Sequence, residues 1–257
     1  MRSVLTENIL GYQVRHDGLE SCLGEIAESL EQGQEQKWLA TLNPHSYAVA
    51  RHRPEFRNAL HAADWLIPDG VGVVFASRIL GGDIRERVSG PDMFYGLHDF
   101  MQNSENYSVF FLGSSEDTLA EICRRMSKDW PNIRIAGTCS PPFKAIFSDE
   151  DIDQMVNSVN AARPDVLWIG LTAPKQEELL NRILPRLNVR FAGAVGAMFD
   201  FYAGRVKRSH PVFRRLGLEW LPRLLREPRR LWRRMFVSAP IFLWHVLQAR
   251  FKLKHRA

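Results

Sequence analysis

The chain has 257 residues, of which 45% are hydrophobic and 25% charged, a balance typical of a folded globular protein that excludes a disordered one. The cysteines Cys22, Cys123 and Cys139 lie far apart and form no CxxC or Cys/His pattern, which favours a reducing compartment over a disulfide framework. The first residues contain no apolar stretch of the kind that secretory signals carry. We therefore expect a cytoplasmic protein.

Charge is distributed unevenly along the chain. Residues 205–257 contain 15 Lys and Arg against 2 Asp and Glu, a net charge of +13, so residues 1–204 carry −8 in a chain of +5. The longest apolar run, residues 235–247, is 13 residues long, whereas about 20 are needed to cross a bilayer. We predict a core over residues 1–204 and a basic amphipathic helical appendage over residues 205–257. Such an appendage suits peripheral binding to the anionic inner face of the cytoplasmic membrane.

Six short apolar segments predict buried strands. They occupy residues 37–43, 63–69, 107–113, 132–138, 165–171 and 189–196. Segments with apolar residues at helical spacing, such as residues 118–126 and 152–159, lie between most of them. Alternating strands and helices predict an α/β fold, with a Rossmann-like parallel sheet and helices on both faces. Ligands of such folds bind beyond the carboxyl ends of the strands.

Polar side chains follow the first two predicted strands. Asp69 lies between a proline and a glycine directly after an apolar run, where a carboxylate can serve as a general base or simply belong to a turn. Thr41 and Asn43 end the preceding strand and can bind a ligand or satisfy backbone groups of the next turn. Both interpretations stay open at each position on local sequence alone.

Three further positions can contact a ligand. Gly113 opens a Gly-Ser-Ser loop that either offers backbone N–H groups to a phosphate or caps the next helix through Ser115. Arg87 can pair with a phosphate through both guanidinium nitrogens or lie on the surface. Gln176 follows Pro174 in what the sequence predicts to be the first turn of a helix.

The sequence also contains a DxD pattern, Asp151 and Asp153, by which some nucleotide-sugar transferases hold a divalent metal. Here the pattern follows Ser148 and leads into a helix, so acidic first-turn residues behind a serine cap explain it as well. The histidines show no ligand spacing, and we expect no metal site and no cofactor.

Six sequence blocks occur in order along the chain. They are TLN at 41–43, AADWLIPDGVGVV at 62–74, RVSGPDMF at 87–94, GLTAPKQE at 170–177, GAVGAMFDFYAG at 193–204 and GLEWLPRLLREPRR at 217–230. Together they resemble the WecG/TagA/CpsF family of bacterial glycosyltransferases, over roughly residues 10–235.

This resemblance implies an inverting, metal-independent hexosyltransferase with a Rossmann-like core and a basic appendage. The donor would be a UDP-sugar and the acceptor a polyprenyl-diphosphate-linked saccharide, in the synthesis of a bacterial surface polysaccharide. The positions that match the family's site residues are Asp69 as the base, Thr41 and Asn43 in the donor pocket, Arg87 and Gln176 beside them, and Arg223, Arg230 and Arg233 as phosphate ligands from the appendage. The resemblance also implies self-association that competes with closure of the appendage.

Two departures from the family pattern leave the donor sugar open: residues 170–173 read GLTA where a second glycine is usual, and residues 208–211 read RSHP where RAP is usual. Three other functions are alternatives to this one. A metal-dependent transferase would use Asp151 and Asp153. A nucleic-acid-binding protein would use the basic tail, but the acidic core would repel phosphate, and we expect no nucleic-acid partner. A nucleotide-dependent oxidoreductase would need a GxGxxG loop, which the sequence lacks.

Overall fold

The computed structural model describes residues 5–33, 36–104, 106–206 and 232–254. Its strands are β1 (Thr6–Ile9), β2 (Tyr12–Arg15), β3 (Lys37–Leu42), β4 (Trp65–Pro68), β5 (Ser108–Gly113), β6 (Arg134–Cys139), β7 (Val166–Gly170) and β8 (Phe191–Ala194). A six-stranded sheet has the order β4-β3-β8-β7-β5-β6, and each neighbouring pair in it is parallel. The six predicted strands and the predicted α/β class are confirmed.

The helices cover both faces of this sheet. They are α1 (Gly18–Glu31), α2 (Pro44–Ala50), α3 (Pro54–Ala62), α4 (Val71–Leu80), α5 (Gly90–Gln102), α6 (Glu116–Asp129), α7 (Asp149–Ala162), α8 (Lys175–Ile183) and α9 (Met198–Tyr202). The next α-helix of the described residues is α10 (Ala239–Lys254). Helices α2, α3, α4, α7, α8 and α10 share one hydrophobic cluster, and α1, α5, α6 and α9 share the other. Because helices bury both faces, strands such as β5 are apolar without alternation, with every residue buried.

An antiparallel hairpin of β1 and β2 precedes the sheet and was not predicted. Its turn places Leu10 at φ 53° and Gly11 at φ 99°, and the Asn8 side chain accepts a hydrogen bond from the Gly11 N–H at 2.9 Å. Hairpin turns of this kind usually carry Asn or Gly at both left-handed positions. Because Leu10 occupies the first of these two positions, the sequence lacks the Asn or Gly pair by which such a turn is usually predicted.

The last helix packs against the core. Phe242 and Val246 of α10 are buried in the cluster formed with α2 and α4. The phenolic oxygen of Tyr47 lies 2.9 Å from Nδ1 of His245, so a polar contact joins α10 to α2 as well. Among the described residues, no helix combines the length and apolarity that a bilayer crossing requires.

Candidate active site

Two neighbouring clefts open at the carboxyl edge of the sheet. The first, called here the narrow cleft, has a volume of about 170 Å³ and is lined by the ends of β3, β4 and β8 together with the start of α8. The second, the wide cleft, has a volume of about 940 Å³ and lies beyond β5, β6 and β7. Thr172, Ala173, Gly196 and Ala197 line both clefts, so they form a ridge between them. Two of these ridge residues belong to the GLTA segment that departs from the family pattern.

The narrow cleft brings together most of the core residues that the sequence singled out. Those lining it are Thr41, Asn43, Asp69, Arg87 and Gln176. Sequence analysis did not select five other polar residues of its wall, which are Ser46, Ser89, Thr172, Glu177 and Arg234. The cleft thus contains two carboxyl groups and two guanidinium groups.

Asp69 reaches the cleft because β4 ends immediately before it. Its N–H donates to the Leu42 carbonyl at 2.8 Å, which continues the parallel pairing of β3 and β4 to the mouth of the cleft. Gly70 then takes φ 97°, a conformation that glycine adopts without strain, and the chain turns directly into α4. The turn interpretation and the site interpretation are therefore compatible, since the same Pro-Asp-Gly sequence ends the strand and presents the half-buried carboxylate to the cleft.

Arg87 is fixed beside Asp69 by backbone contacts. The Val88 N–H donates to the Pro68 carbonyl at 3.0 Å, which ties the segment before α5 to the end of β4. Ser89 and Asp92 form a capping box at the start of α5 directly afterwards. Arg87 is half-buried in the wall of the cleft.

Asn43 has a structural task as well as a place in the cleft. Its side-chain oxygen accepts from the N–H groups of His45 and Ser46 at 3.0 and 2.9 Å, and the Ser46 hydroxyl accepts from the Asn43 N–H at 2.7 Å. This capping box starts α2, as the backbone interpretation anticipated. The side-chain oxygen is committed to the helix, so the amide Nδ2 group is the part of Asn43 that can serve a ligand.

Gln176 and Glu177 form a buried pair at the start of α8. The Gly196 N–H donates to Oε1 of Gln176 at 3.0 Å, and Nε2 of Gln176 donates to Oε1 of Glu177 at 2.9 Å. Glu177 is only 1% exposed, and burial raises its pKa to about 7. Most first-turn glutamates lie on an exposed helix start and are solvated. The sequence alone does not distinguish such a glutamate from the buried Glu177.

The appendage contributes Arg234 to the cleft. Arg234 begins a π-helical turn, Arg234–Ser238, that leads into α10, and the Ser238 hydroxyl lies 2.9 Å from Nδ1 of His45. Arg233, the predicted phosphate ligand next to it, is exposed and lies outside the cleft wall. The other two predicted appendage ligands, Arg223 and Arg230, lie outside the described residues.

Gly113 does not line the narrow cleft. Ser114 and Ser115, which follow it, line the wide cleft, and Ser115 caps α6 by accepting from the Thr118 N–H at 3.4 Å. A Cβ at Gly113 would stand 2.6 Å from the Gly170 carbonyl oxygen, and its φ is 121°, so close packing against β7 and backbone conformation both require glycine. The cap interpretation is confirmed, while a phosphate role for the loop stays a prediction.

The DxD pattern is a helix start. Asp151 completes a capping box with Ser148 and pairs with Lys144 at 2.9 Å, while Asp153 pairs with Arg186 at 2.6 Å. Lys144, followed by the Ser148 N–H, keeps the pKa of Asp151 below its usual range. The two carboxylates are thus directed to different cations. Over the described ranges, no three His, Cys, Asp or Glu side chains converge as metal ligands would.

Comparison with known proteins identifies the family of the chain. Residues 7–256 match the model of the glycosyl transferase WecG/TagA/CpsF family. A protein of Bacillus spizizenii named N-acetylglucosaminyldiphosphoundecaprenol N-acetyl-beta-D-mannosaminyltransferase is 33% identical over 82% of this chain and 79% of its own. Proteins with the same name from Bacillus subtilis and Staphylococcus aureus are 30% and 25% identical, over 82% and 84% of this chain and 78% and 82% of theirs. The match over nearly the whole chain shows that this protein is a glycosyltransferase of the WecG/TagA/CpsF family.

Proposed function

We propose that this enzyme transfers an N-acetylmannosaminyl group from its UDP derivative to N-acetylglucosamine carried on a polyprenyl diphosphate, with inversion and without a metal. The name of the relatives from Bacillus supports the transferred sugar and the acceptor. The observation that carries the proposed chemistry is that Asp69, Arg87 and Arg234 line one cleft. The carboxylate can accept the proton of the attacking hydroxyl, and the guanidinium groups can stabilise the negative charge on the leaving diphosphate.

In the proposed reaction, Asp69 is the general base. An acceptor hydroxyl attacks the anomeric carbon, and its proton passes to the Asp69 carboxylate as the new C–O bond forms. The bond from the anomeric carbon to the diphosphate oxygen breaks, and UDP leaves with that electron pair. A single displacement on an α-linked nucleotide sugar gives the β configuration that the relatives' name specifies.

Arg87 and Arg234 would stabilise the leaving group. Negative charge grows on the diphosphate as the bond breaks, and a guanidinium group is permanently charged and can pair with two phosphate oxygens. Fixed cations in a partly buried cleft supply what a divalent ion supplies in metal-dependent transferases. The separate pairing of Asp151 and Asp153 with Lys144 and Arg186 supports the same assignment over the metal-dependent alternative.

The sizes of the two clefts support a division of the donor between them. An enclosed apolar cavity of about 150 Å³ holds one benzene-sized ring, so the narrow cleft of about 170 Å³, which is open on one side, suits a single sugar. The wide cleft of about 940 Å³ falls within the range of sites for larger ligands, and the nucleotide would cross the ridge at Thr172 and Ala173 to reach it.

We also propose that α10 holds the enzyme on an anionic bilayer surface. Its outer side presents large apolar side chains to solvent, namely Leu243, Trp244, Leu247 and Phe251, and the exposed rings of Trp232 and Phe236 contact each other just before it. Aromatic and aliphatic side chains on a basic segment favour the headgroup layer. Because the acceptor is attached to a lipid, this placement would bring the narrow cleft to its substrate.

The proposed function is tested by a transfer assay on the full chain, with radiolabelled UDP-N-acetylmannosamine and a short-chain lipid-diphosphate N-acetylglucosamine. We expect transfer by the wild type that persists in EDTA, and a loss of roughly 10²–10⁴-fold in kcat for Asp69→Asn with the fold retained. Asp83→Asn, at an exposed surface pair with Arg85, is the matched control. A folded Asp69→Asn variant with wild-type turnover would exclude Asp69 as the base.

A further inference from the structure

Glu177 is an unusual member of the cleft wall because one of its oxygens has nothing to bind. In the described part of the chain, two buried side-chain polar atoms lack a hydrogen-bond partner, Nδ1 of His98 and Oε2 of Glu177. His98 lies in the aromatic core, with its ring centre 4.2 Å from that of Phe94 and 4.8 Å from that of Trp130. Glu177 instead borders the narrow cleft. A buried polar group without a partner costs about 1–3 kcal/mol, so its place in a ligand cleft needs a reason.

The environment of Glu177 fixes which of its atoms is available. Oε1 accepts from Nε2 of Gln176, whose own Oε1 accepts from the Gly196 N–H, so this chain of bonds holds the carboxyl plane. The side chain as a whole is 1% exposed. Only Oε2 is left without a partner, and Glu177 lines the narrow cleft.

We propose that Glu177 is a substrate-contacting residue whose Oε2 hydrogen-bonds an oxygen of the donor sugar at the base of the narrow cleft. This inference rests on the proposed function, since it takes the donor to be a nucleotide sugar with its sugar in that cleft. It assigns to Glu177 the recognition of a hydroxyl or acetamido oxygen of the sugar. Asp69 and the arginines act at the bonds that form and break.

The charges around the cleft indicate the protonation state in which Glu177 acts. Burial raises the pKa of Glu177 to about 7, against the smaller opposite effect of the hydrogen bond from Gln176, and Glu178 on the same helix raises it further. The charged groups in the cleft wall from other elements are Asp69, Arg87 and Arg234. Glu178 itself pairs with Arg53, at the start of α3.

A bound diphosphate would favour the neutral acid. It brings negative charge to the cleft and engages the two arginines, so the charged form of Glu177 becomes less favourable still. The neutral acid carries a proton on Oε2 that it can donate to a sugar oxygen, as buried carboxylic acids do in other active sites.

The test compares donor binding by Glu177→Gln, Glu177→Leu and the wild type, measured calorimetrically and as the donor KM across neutral pH. For the wild type we expect the donor KM to rise as the pH increases beyond about 7, because the acid form that donates to the sugar is lost. Glu177→Gln keeps an N–H donor that does not titrate, so its donor KM should stay level over the same range. Glu177→Leu should bind UDP-N-acetylmannosamine about tenfold more weakly and UDP alone with unchanged affinity.

The control is Glu150→Gln, an exposed first-turn glutamate of α7 outside both clefts, which should keep the wild-type KM and its pH dependence. The inference is overturned if Glu177→Gln retains the wild-type pH dependence, or if Glu177→Leu binds UDP and the UDP-sugar as the wild type does. Should Glu177→Leu fail to fold, the pH dependence of Glu177→Gln still decides. A wild type that transfers no UDP-linked sugar would instead refute the proposed function, before any variant is compared.

Discussion

Nδ1 of His45 and the hydroxyl oxygen of Ser238 lie 2.9 Å apart, and this hydrogen bond joins the first turn of α2 to the π-helical turn that carries Arg234. Burial, followed by the charges of Arg234 and Arg233, lowers the pKa of His45 to about 4. The imidazole is therefore neutral at physiological pH, and two nearby guanidinium groups oppose its protonation. Docking of this turn determines whether Arg234 stands in the cleft wall.

The first prediction follows from that pKa. Above pH 6.5, the ordinary value, His45 is neutral both in the docked and in the released state, so the contact contributes fully. As the pH falls from 6.5 toward about 4, the released or unfolded state binds a proton that the docked state does not, and stability is lost. We expect a loss of about 1–2 kcal/mol from this group, allowing for its partial exposure. His45→Gln should remove this part of the acid sensitivity.

The measurement is thermal unfolding, together with hydrogen exchange over residues 232–254, at several pH values. The exposed His52 supplies the matched control, since His52→Gln should keep the wild-type pH dependence. If His45→Gln and the wild type lose stability in parallel, the low pKa of His45 has no part in holding the turn.

The second prediction separates the two adjacent arginines. Arg234→Ala should lower kcat by roughly 10²-fold, because one fixed cation at the leaving diphosphate is removed. Arg233→Ala should have a much smaller effect if the described arrangement is the one that reacts. Steady-state kinetics with a short-chain acceptor makes the comparison, and Arg182→Ala, at an exposed pair with Asp149, is the control. The reverse order of effects would mean that the tail rearranges before transfer.

The third prediction concerns Asp151 and Asp153. Asp151→Ala should lower stability because the Ser148 N–H loses its acceptor in the capping box and Lys144 loses its partner, and Asp153→Ala should have a smaller effect because its pair with Arg186 is exposed. Neither variant, and no treatment with EDTA, should change the rate of transfer. Chemical unfolding and initial rates check the two statements. Activity that disappears in EDTA and returns with Mg²⁺ or Mn²⁺ would restore the metal-dependent alternative.

The fourth prediction concerns the effect of the buried Glu177 carboxyl group on stability. Glu177 has a raised pKa in the folded protein, so its stabilising contribution is greatest below pH 4.5, the ordinary value, and is lost as the pH rises toward about 7. Glu177→Gln should therefore be more stable than the wild type above neutrality, by on the order of 3 kcal/mol. Urea unfolding at acidic and alkaline pH measures the difference. Equal stabilities at alkaline pH would show that the carboxylate is accommodated without penalty.

The fifth prediction concerns the outer side of α10. The substitutions Trp244→Glu and Phe251→Glu, made together, should reduce flotation with anionic vesicles several-fold, because apolar surface and charge attraction are both diminished. Ile146→Glu changes an even more exposed apolar residue far from α10 in sequence and should leave flotation unchanged. Binding that persists in the double variant would move the membrane contact elsewhere.

The sheet could be predicted from the sequence because the apolar pattern of each strand and the alternation of strands with helices indicate the same fold. The strands are buried on both faces and contrast clearly with the helices between them, and parallel topology places their carboxyl ends together. For this reason, the sequence alone predicts that Thr41, Asn43 and Asp69 lie close together. The division of the chain near residue 204 and the self-association implied by the family stay predictions.

Sequence analysis missed Arg234 and Glu177 because the spacing of residues along the chain does not show where these side chains lie in the folded protein. The match to the family's appendage block selects Arg233, whereas the cleft is lined by Arg234, the next residue, which begins an i→i+5 turn. Glu177 has the sequence context of an ordinary first-turn acid, and its burial follows from how α8 meets β8. The preference for the leucine at the β1–β2 turn likewise cannot be derived from turn chemistry.

The π-helical turn also bears on the order in which the protein is made. The six strands of the sheet and helices α1–α9 lie before residue 206, but part of the wall of the narrow cleft is supplied by Arg234, and Ser238 of the same turn bonds to His45. A polypeptide still emerging from the ribosome could assemble its scaffold well before the chamber closes. If the proposed reaction requires Arg234, activity would begin only once this part of the chain is present, so a newly made enzyme would gain its activity together with the helix that we propose binds the membrane.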